Sequence, residues 1–350
     1  MEEIVNTIDQ YQRIYRKTME NYICLFCHWE LTYRCNLYCR HCYATGNQNE
    51  GEFSLEKAKS ILDELKEMSC LYLTFSGGEI LMRQDFFEIA SYARIQGFAL
   101  RLLTNATLID ETISKQIASL YPLTVETSIY AAHKNLHDSI TKIKGSYDKL
   151  MQAIKLLKQQ NLKVILKFLV MKNNSAEFPA VKALAESLGV DFLFDFCVVM
   201  RNDGGNFPLR YRLNSQEIKD FFIANNSPLN IKSENDEALL CSAGLNNIFI
   251  TPYLDVYPCV GIRKGMGNLW QDRLKDLWRS AGLNFIRSID GQDLYKCKSC
   301  ALKKFCDRCL GIALEENGDL FGPSSFDCSV AEIINEVIVE RQKEAGLYGK

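Results

Sequence analysis

Three cysteines, Cys35, Cys39 and Cys42, lie within eight residues and have the spacing C-x3-C-x2-C in the segment RCNLYCRHCYATG. A structural zinc site uses four protein ligands, usually delivered as two C-x2-C pairs, so it needs one more side chain. His41 adjoins Cys42, and these two side chains would not readily converge on one ion. Three thiolates can instead bind three irons of a [4Fe-4S] cubane and leave the fourth iron open for a small molecule. The spacing therefore favours an iron-sulfur cluster over zinc or core packing.

A second group of cysteines occupies the last third of the chain. Its seven members are Cys241, Cys259, Cys297, Cys300, Cys306, Cys309 and Cys328. The segment CKSCALKKFCDRC has two C-x2-C pairs separated by five residues, whereas a zinc ribbon separates its pairs by roughly 15 to 20. Seven thiols exceed one tetrahedral site and fall one short of two, so the region is predicted to hold metal in an arrangement other than a zinc ribbon.

The composition indicates a globular protein that is not adapted to bind a highly charged partner such as nucleic acid. The chain has 350 residues, of which 47% are hydrophobic and 24% charged, with a net charge of -2. This balance gives no general attraction to nucleic acid or anionic lipid. The N-terminus lacks an apolar export signal, and no apolar run is long enough for a membrane span. We therefore expect a cytoplasmic protein, where thiols stay reduced, so that fourteen cysteines indicate metal or redox chemistry.

Short apolar runs alternate with amphipathic segments through the first two hundred residues. Strands are predicted at 28–34, 71–75, 98–103, 123–129, 163–170 and 191–196. Helices are predicted between them at 54–69, 84–96, 110–119, 146–159 and 175–188, with Ser54, Asp110, Ser146 and Ser175 among their N-caps. Six such repeats predict a parallel sheet, either open and doubly wound or part of a barrel. In both cases the cysteine loop, which follows the first strand, lies at the C-terminal strand ends where chemistry occurs.

The same pattern divides the chain into five parts. We expect an N-terminal helix at 1–22, a β/α barrel domain at 23–205, a linker at 206–235, a cluster domain at 236–335 and a C-terminal helix or tail at 336–350. The linker is placed where the sequence MRNDGGNFPLRYRL breaks the repeat. The cysteines of the last third then fall in a domain of their own.

RCNLYCRHCY after the first strand, and SGGE after the second, resemble two motifs of the radical S-adenosylmethionine (SAM) enzymes. The resemblance implies an α/β fold, a partial (β/α)6 TIM-like barrel with a C-terminal cysteine-rich iron-sulfur extension. It also implies that Cys35, Cys39 and Cys42 hold a [4Fe-4S] cluster to which SAM binds. The SAM-binding residues implied by matching positions are Ser76, Gly77, Gly78, Glu79, Asn105, Ser128 and Lys144.

Three of these positions depart from the family pattern. The segment TNATL, with Asn105, takes the place of the usual TNG. After Ser128, the residues Tyr130 and Ala131 replace the usual Asp-Gly. In KIKGS, Lys144 stands where the family has arginine, and a lysine can hold a carboxylate as a point charge but not through a bidentate fork.

The C-terminal cysteines resemble the SPASM extension of radical SAM enzymes, which carries auxiliary [4Fe-4S] clusters. The stretch from Cys241 to Cys259 is similar to its first hairpin, and GNLW at 267–270 to the turn that follows. The resemblance implies two auxiliary clusters, the first held by Cys241, Cys259 and Cys309. The second would be held by Cys297, Cys300, Cys306 and Cys328. C-x2-C replaces the family's C-x3-C at Cys309, and Leu254 stands at a position that is usually glycine.

The resemblance implies that the protein cleaves SAM reductively to a 5'-deoxyadenosyl radical, which abstracts hydrogen from substrate. Most SPASM enzymes modify peptides or proteins through crosslinks, thioethers or related oxidations, so we expect a ribosomally made peptide or protein substrate. The alternative is a small molecule or a porphyrin-type cofactor precursor. An alternative of another class is a non-catalytic iron-sulfur electron carrier, which would need neither an open three-cysteine site nor the GGE motif.

The same resemblance predicts two protein partners. One is an external one-electron donor such as a flavodoxin or ferredoxin. The other is a separate leader-peptide-binding protein, because only about 25 residues precede the first strand. Val260 follows the second hairpin cysteine, where sulfatase-maturing enzymes typically have the Asp base, so that subtype is discounted. No catalytic acid or base is assigned, and neither nucleic acid nor membrane is expected as a partner.

Overall fold

The computed structural model describes residues 2–44, 51–226, 229, 231 and 241–344. The end of the predicted linker at 206–235, the start of the predicted cluster domain and the end of the predicted tail lie outside these residues. The strands are β1 (Phe26–Thr32), β2 (Tyr72–Gly77), β3 (Ala99–Thr104), β4 (Thr124–Ile129), β5 (Val164–Leu169), β6 (Asp191–Asp195), β7 (Asn247–Ile250), β8 (Asp255–Tyr257) and β9 (Gly267–Asn268).

The helices alternate with β1 to β6 and then continue through the C-terminal part. They are α1 (Glu2–Glu20), α2 (Leu55–Glu67), α3 (Phe86–Ile95), α4 (Glu111–Ser119), α5 (Lys134–Thr141), α6 (Ser146–Gln159), α7 (Phe178–Leu188), α8 (Ser215–Ala224), α9 (Leu274–Leu277), α10 (Ala281–Arg287), α11 (Leu310–Asn317) and α12 (Ser325–Glu344). Within the part of the chain that the structure describes, none of these helices is long and apolar enough to cross a membrane.

The strands form one sheet in the order β6-β5-β4-β3-β2-β1-β7-β8-β9. Strands β1 to β6 pair in parallel with their neighbours in chain order. Parallel neighbours need crossover connections, which the alternating helices provide. The mixed α/β fold with a parallel sheet, predicted from six β-α repeats and from the family resemblance, is confirmed.

Strand β7 continues the sheet on the other side of β1. Its residues pair in parallel with β1, from Phe26 opposite Asn247 to Trp29 opposite Ile250. Strand β8 then pairs antiparallel with β7, and β9 with β8. The cysteine-rich part is therefore built directly onto the sheet that carries the first cysteine loop, an arrangement that the sequence did not predict.

Alternation along β1 separates an apolar face from a polar one. Trp29 and Leu31 belong to the main hydrophobic core, together with Ile61 and Leu62 of α2. Successive side chains of a strand point to opposite faces, so the residues between them, including Glu30, lie on the other face. The helices thus cover the apolar face, and the inner face of the sheet is left for polar chemistry.

Two of the four predicted N-caps are confirmed and two are wrong. Ser54 accepts a hydrogen bond from Lys57 N, and Asp110 accepts one from Ile113 N. Helix α6 instead begins at Ser146 behind Gly145, which has a φ of 84°. Tyr147 N in the first turn donates to Asp138 Oδ1 at 2.9 Å, so a carboxylate from outside the helix provides the cap. Ser175 begins a short 3-10 turn before α7.

Candidate active site

The first cysteine loop begins where β1 ends, and it brings its three thiols together. Cys42 N donates to the Cys39 carbonyl at 3.1 Å, which folds the loop into a turn. Burial raises the pKa of the Cys39 thiol, and the neighbouring thiols of Cys42 and Cys35 raise it further. Burial likewise raises the pKa of Cys42 to about 11. Free thiols would stay protonated here, so a bound cation is needed to hold them as thiolates.

The donor set fits an iron-sulfur cluster better than a zinc ion. Among the described residues, no three His, Cys, Asp or Glu side chains are placed to hold one metal ion. In a cubane each thiolate binds a different iron, so the thiols need not converge on a single point. The Leu37 N–H points to Cys35 Sγ at 3.4 Å, a contact that would stabilise a cluster thiolate.

Gly77 and Gly78 allow the end of β2 to lie against the start of the cysteine loop. Gly78 N donates to the Thr32 carbonyl at 2.7 Å, and Glu79 N donates to the Arg34 carbonyl at 2.9 Å. A Cβ on Gly78 would lie 2.7 Å from the Tyr33 carbonyl oxygen and still closer to that of Arg34. Gly77 has a φ of 137°, which favours glycine. These glycines therefore let the backbone of the SGGE turn pack directly against the backbone that leads into the cysteine loop.

Glu79 ties the same turn to the end of β3. Its buried carboxylate accepts hydrogen bonds from Thr104 Oγ1 at 2.7 Å, Asn105 N at 2.7 Å and Leu81 N at 3.1 Å. Burial raises the pKa of Glu79, and these three hydrogen bonds oppose that rise. A carboxylate has about four lone-pair sites, so about one remains for a ligand cation.

Asn105 connects β3 to the cysteine loop. Its Nδ2 lies 3.7 Å from Cys35 Sγ and donates to Asn36 Oδ1 at 2.9 Å. The next residue, Ala106, is fully buried and has a φ of 62°. This left-handed conformation explains why the family has glycine at that position, and here an alanine adopts it at a cost of about 1–2 kcal/mol.

Tyr130 is a site residue whose role the sequence did not reveal. Its buried hydroxyl hydrogen-bonds both the Cys39 thiol and Ser128. The His41 ring packs edge-on against it with centroids 4.7 Å apart. The substitution of Tyr130-Ala131 for Asp-Gly was a signal at this position, but nothing in the sequence showed that the ring would reach the cysteine loop.

Lys144 does not contact the cysteine loop through any described hydrogen bond or ion pair, and its side chain is exposed. The turn after α5 instead places Lys142 in the wall of a cavity of about 90 Å³. Arg40, His41 and Asn173 line the same cavity. The assignment of Lys144 to SAM stays a prediction, and Lys142 shares a cavity with Arg40 and His41 of the loop.

Three of the C-terminal cysteines, Cys241, Cys259 and Cys309, form one group. A Cβ placed on Gly261 would lie 3.9 Å from Cys259 Sγ and 4.0 Å from Cys309 Sγ, so both thiols face one point. The pKa of Cys259 is raised to about 12, first by burial and then by Cys241. Cys259 Sγ also accepts a hydrogen bond from Ile262 N at 3.3 Å. The structure thus brings together the three thiols implied for the first auxiliary cluster.

A separate group gathers around Cys328. Its thiol has a raised pKa, owing first to burial and then to the neighbouring thiols of Cys297 and Cys300. Cys300 Sγ accepts a hydrogen bond from Leu302 N at 3.4 Å. Cys306 packs against the main hydrophobic core. Six of the seven thiols fall into the two groups that the family resemblance implies, whereas Cys306 is placed only against the core. The ligand sets themselves stay a prediction.

A buried polar group connects the barrel to the C-terminal part. Glu30 of β1 is fully buried and accepts a hydrogen bond from the Tyr43 hydroxyl at 2.5 Å. Burial raises the pKa of Glu30, and Tyr43 and Arg263 counteract that rise. The Arg263 guanidinium lies 5.7 Å from the centre of the Tyr43 ring and 5.4 Å from that of Phe249. The sequence did not predict this group, because its members come from distant segments.

Comparisons with known proteins agree with both motif regions. Residues 29–184 match the model of the radical SAM superfamily, and residues 241–309 match that of an iron-sulfur cluster-binding domain, SPASM. The chain is 27% identical to AdoMet-dependent heme synthase of Methanosarcina barkeri over 327 residues, 83% of this chain and 92% of that protein. It is 26% identical to mycofactocin maturase MftC of Mycobacterium tuberculosis over 322 residues, 85% of this chain and 80% of that protein. Streptococcus suis SuiB, solved with its precursor peptide SuiA, has the same fold, with a TM-score of 0.69, 18% identity, and coverage of 91% of this chain and 80% of that chain.

Proposed function

This chain is a radical SAM enzyme with a C-terminal SPASM domain, and we propose that it oxidatively modifies a ribosomally made peptide or protein. The observation that carries the catalytic part is the group of three thiols at the end of β1, beside the SGGE turn. Its cofactors are a [4Fe-4S] cluster with SAM, together with auxiliary clusters in the SPASM domain.

Cys35, Cys39 and Cys42 would hold the catalytic cluster. When bound, the cluster and SAM supply a 5'-deoxyadenosyl radical that abstracts hydrogen from the substrate. The chain positions the cofactor and the substrate and excludes water from the site. Glu79 offers its remaining lone-pair site to the SAM ammonium group, and Asn105 fixes the loop by contacting Cys35.

Cys241, Cys259 and Cys309 would hold the first auxiliary cluster, and Cys297, Cys300, Cys306 and Cys328 the second. When bound, such clusters would supply a site for the electron that is released when a substrate radical is oxidised. Because β7 lies directly beside β1, the first auxiliary group has a fixed position relative to the catalytic loop. An external one-electron donor, such as a flavodoxin or ferredoxin, completes the proposed reaction.

The peptide substrate is supported by the similarity to mycofactocin maturase, which extends over 85% of this chain. A second candidate is a porphyrin-type precursor, which the comparable similarity to AdoMet-dependent heme synthase favours. A leader-binding partner would serve the first reading only. Both readings use the same cofactors and the same cysteines, so a substrate experiment is needed to separate them.

Iron content and SAM cleavage test the catalytic assignment. Anaerobic wild-type protein should contain about twelve irons per chain if all three sites hold cubanes. Replacement of Cys35, Cys39 and Cys42 by Ala should remove about four irons and abolish 5'-deoxyadenosine formation. The matched control is Cys24→Ala, since Cys24 is a buried thiol of the main core. If the triple variant still cleaves SAM, the proposed catalytic site is wrong.

The substrate is tested by mass spectrometry with reduced enzyme and SAM. Short peptides encoded beside the gene and iron coproporphyrin III are offered in separate reactions. A peptide that loses hydrogen mass, with one 5'-deoxyadenosine formed per event, supports the peptide reading. Modification of the porphyrin alone would replace it with the second candidate.

A further inference from the structure

A compact charged group lies on the inner face of the barrel sheet. Glu126 of β4 accepts a hydrogen bond from Arg101 Nε of β3 at 2.8 Å. On its other side, Lys167 Nζ of β5 lies 3.2 Å from Glu126 Oε2. These three residues come from three adjacent strands. We call Arg101, Glu126 and Lys167 the lumen triad.

The lumen triad has more positive charge than it needs for its own pairing. The Glu126 side chain is 0% exposed, whereas those of Arg101 and Lys167 are 42% and 43% exposed. One carboxylate therefore serves two cations, each of which keeps nearly half of its surface free. Arg263, a further cation near this face, faces the Glu30 carboxyl. The lumen triad, with two cations and one carboxylate, therefore carries a surplus of one positive charge of its own.

His28 adds polarity to the same region without adding charge. Its Nε2 hydrogen-bonds the Ser76 hydroxyl. Burial lowers its pKa to about 4, and the nearby Lys167 and Arg101 lower it as well. The imidazole is therefore neutral at physiological pH, and it can accept or donate a hydrogen bond toward a bound group.

The strand register gives the level of each member of the lumen triad relative to Ser76 and Ser128. Glu126 lies two residues before Ser128 on β4, and Arg101 is paired with Thr74, two residues before Ser76 on β2. Two residues of a strand span about 6.6 Å. Arg101 and Glu126 thus lie about two strand residues deeper than Ser76 and Ser128, the residues implied to contact SAM, whereas Lys167 pairs with Ser128 and lies at its level.

We propose that the lumen triad binds a carboxylate group of the substrate and thereby fixes the substrate next to SAM. This inference deepens the proposed function and rests on it. A single surplus charge matches one carboxylate, whereas a phosphate dianion would remain half neutralised. The Arg101 guanidinium keeps donors beyond those given to Glu126, and an arginine fork suits carboxylate geometry. The carboxylate is supplied either by a peptide C-terminus or by a porphyrin side chain.

Equilibrium binding to anaerobic holoenzyme tests the proposal with three fluorescent probes. They are a short dye-labelled peptide with a free C-terminal carboxylate, the same peptide with an amidated C-terminus, and coproporphyrin III. The variants are Arg101→Gln and Lys167→Gln, each of which leaves Glu126 one cation. Lys66→Gln is the matched control, because Lys66 bonds Gln96 at an exposed position between outer helices. Lys167→Arg keeps the charge.

Arg101→Gln and Lys167→Gln should each weaken binding of a carboxylate probe about tenfold to a hundredfold, as expected for a lost hydrogen bond to a charged group. The amidated peptide should bind weakly to every protein, and Lys167→Arg should restore affinity. The probe that responds identifies the source of the carboxylate. Equal melting temperatures would show that the two variants remain folded.

Three results would overturn the proposal. The first is that neither carboxylate probe binds the wild-type protein. The second is that the two variants bind the probes as the wild type does, or that Lys66→Gln weakens binding equally. The third is that SAM affinity falls while probe affinity does not, since the cations would then serve the cofactor. Formation of 5'-deoxyadenosine, measured on the same samples, separates these results from a failure of the proposed function.

Discussion

A single methyl group added at Gly78 should disturb the catalytic loop. In Gly78→Ala the new Cβ would clash with the backbone of Tyr33 and Arg34, including the Tyr33 carbonyl oxygen at 2.7 Å. Real Cβ atoms do not approach carbonyl oxygens this closely, so the SGGE turn must move away from the residues that lead into the cysteine loop. That movement would break the hydrogen bonds that Gly78 N and Glu79 N donate at 2.7 and 2.9 Å.

The cost follows from these contacts. Two lost backbone hydrogen bonds cost about 2 kcal/mol, and forcing an extra methyl against fixed neighbours costs about 1–3 kcal/mol. We expect destabilisation of about 3–5 kcal/mol, which is about 6–10 °C in melting temperature at about 2 °C per kcal/mol. The control is Gly282→Ala in α10, where a Cβ would meet nothing within 4 Å. There the higher helix propensity of alanine should leave stability unchanged or raise it by up to about 1 kcal/mol.

Thermal melting of anaerobic protein, together with iron content, provides the assay. Gly78→Ala should melt several degrees lower than Gly282→Ala and should lose iron from the catalytic site first. If the two variants melt at the same temperature and keep the same iron, the SGGE turn does not press against the cysteine loop, and the reasoning is refuted.

Four further results are expected. Tyr130→Phe removes the hydroxyl bonded to Cys39. Because hydrogen bonds to the sulfurs help to set a cluster's reduction potential, the catalytic cluster should have a lower potential in a redox titration followed by electron paramagnetic resonance. An unchanged potential would contradict that contact. Ala106→Gly relieves a left-handed alanine at a φ of 62°, and should raise the free energy of unfolding by about 0.5–1 kcal/mol in urea titration. Cys259→Ser should remove about four irons while 5'-deoxyadenosine still forms without substrate turnover. Cys70→Ser, at a buried thiol bonded to the Leu25 carbonyl, should leave the iron count unchanged.

Much of the fold could be predicted from local sequence. The β-α alternation depends on strand and helix patterns within about ten residues, and β2 to β6 were predicted to within two residues at each end. Strand β1 runs over Phe26–Thr32 rather than 28–34, because the chain leaves the sheet at Tyr33 to enter the cysteine loop. The cysteine spacings themselves were informative because ligand sets in one loop are local.

Features that depend on distant pairing could not be predicted. The partnership of β7 with β1 joins segments more than 200 residues apart, and short strands carry no signal of their partner. The lumen triad requires the register of three strands, which fixes which side chains share a face. The contact of Tyr130 with Cys39 could not be predicted for the same reason, because it depends on where the end of β4 lies relative to the cysteine loop.

The pairing of β7 with β1 makes the strand that bears the cysteine loop an interior strand. Without residues 247–250, the N–H and C=O groups on that side of Phe26–Trp29 would have no strand partner. A barrel fragment ending before β7 would therefore expose β1 as an unpaired edge strand. It is expected to self-associate through that edge. The SPASM region thus covers the edge of the catalytic half as well as extending its sheet. The two halves should therefore be kept together when the protein is expressed, truncated or fused to another protein.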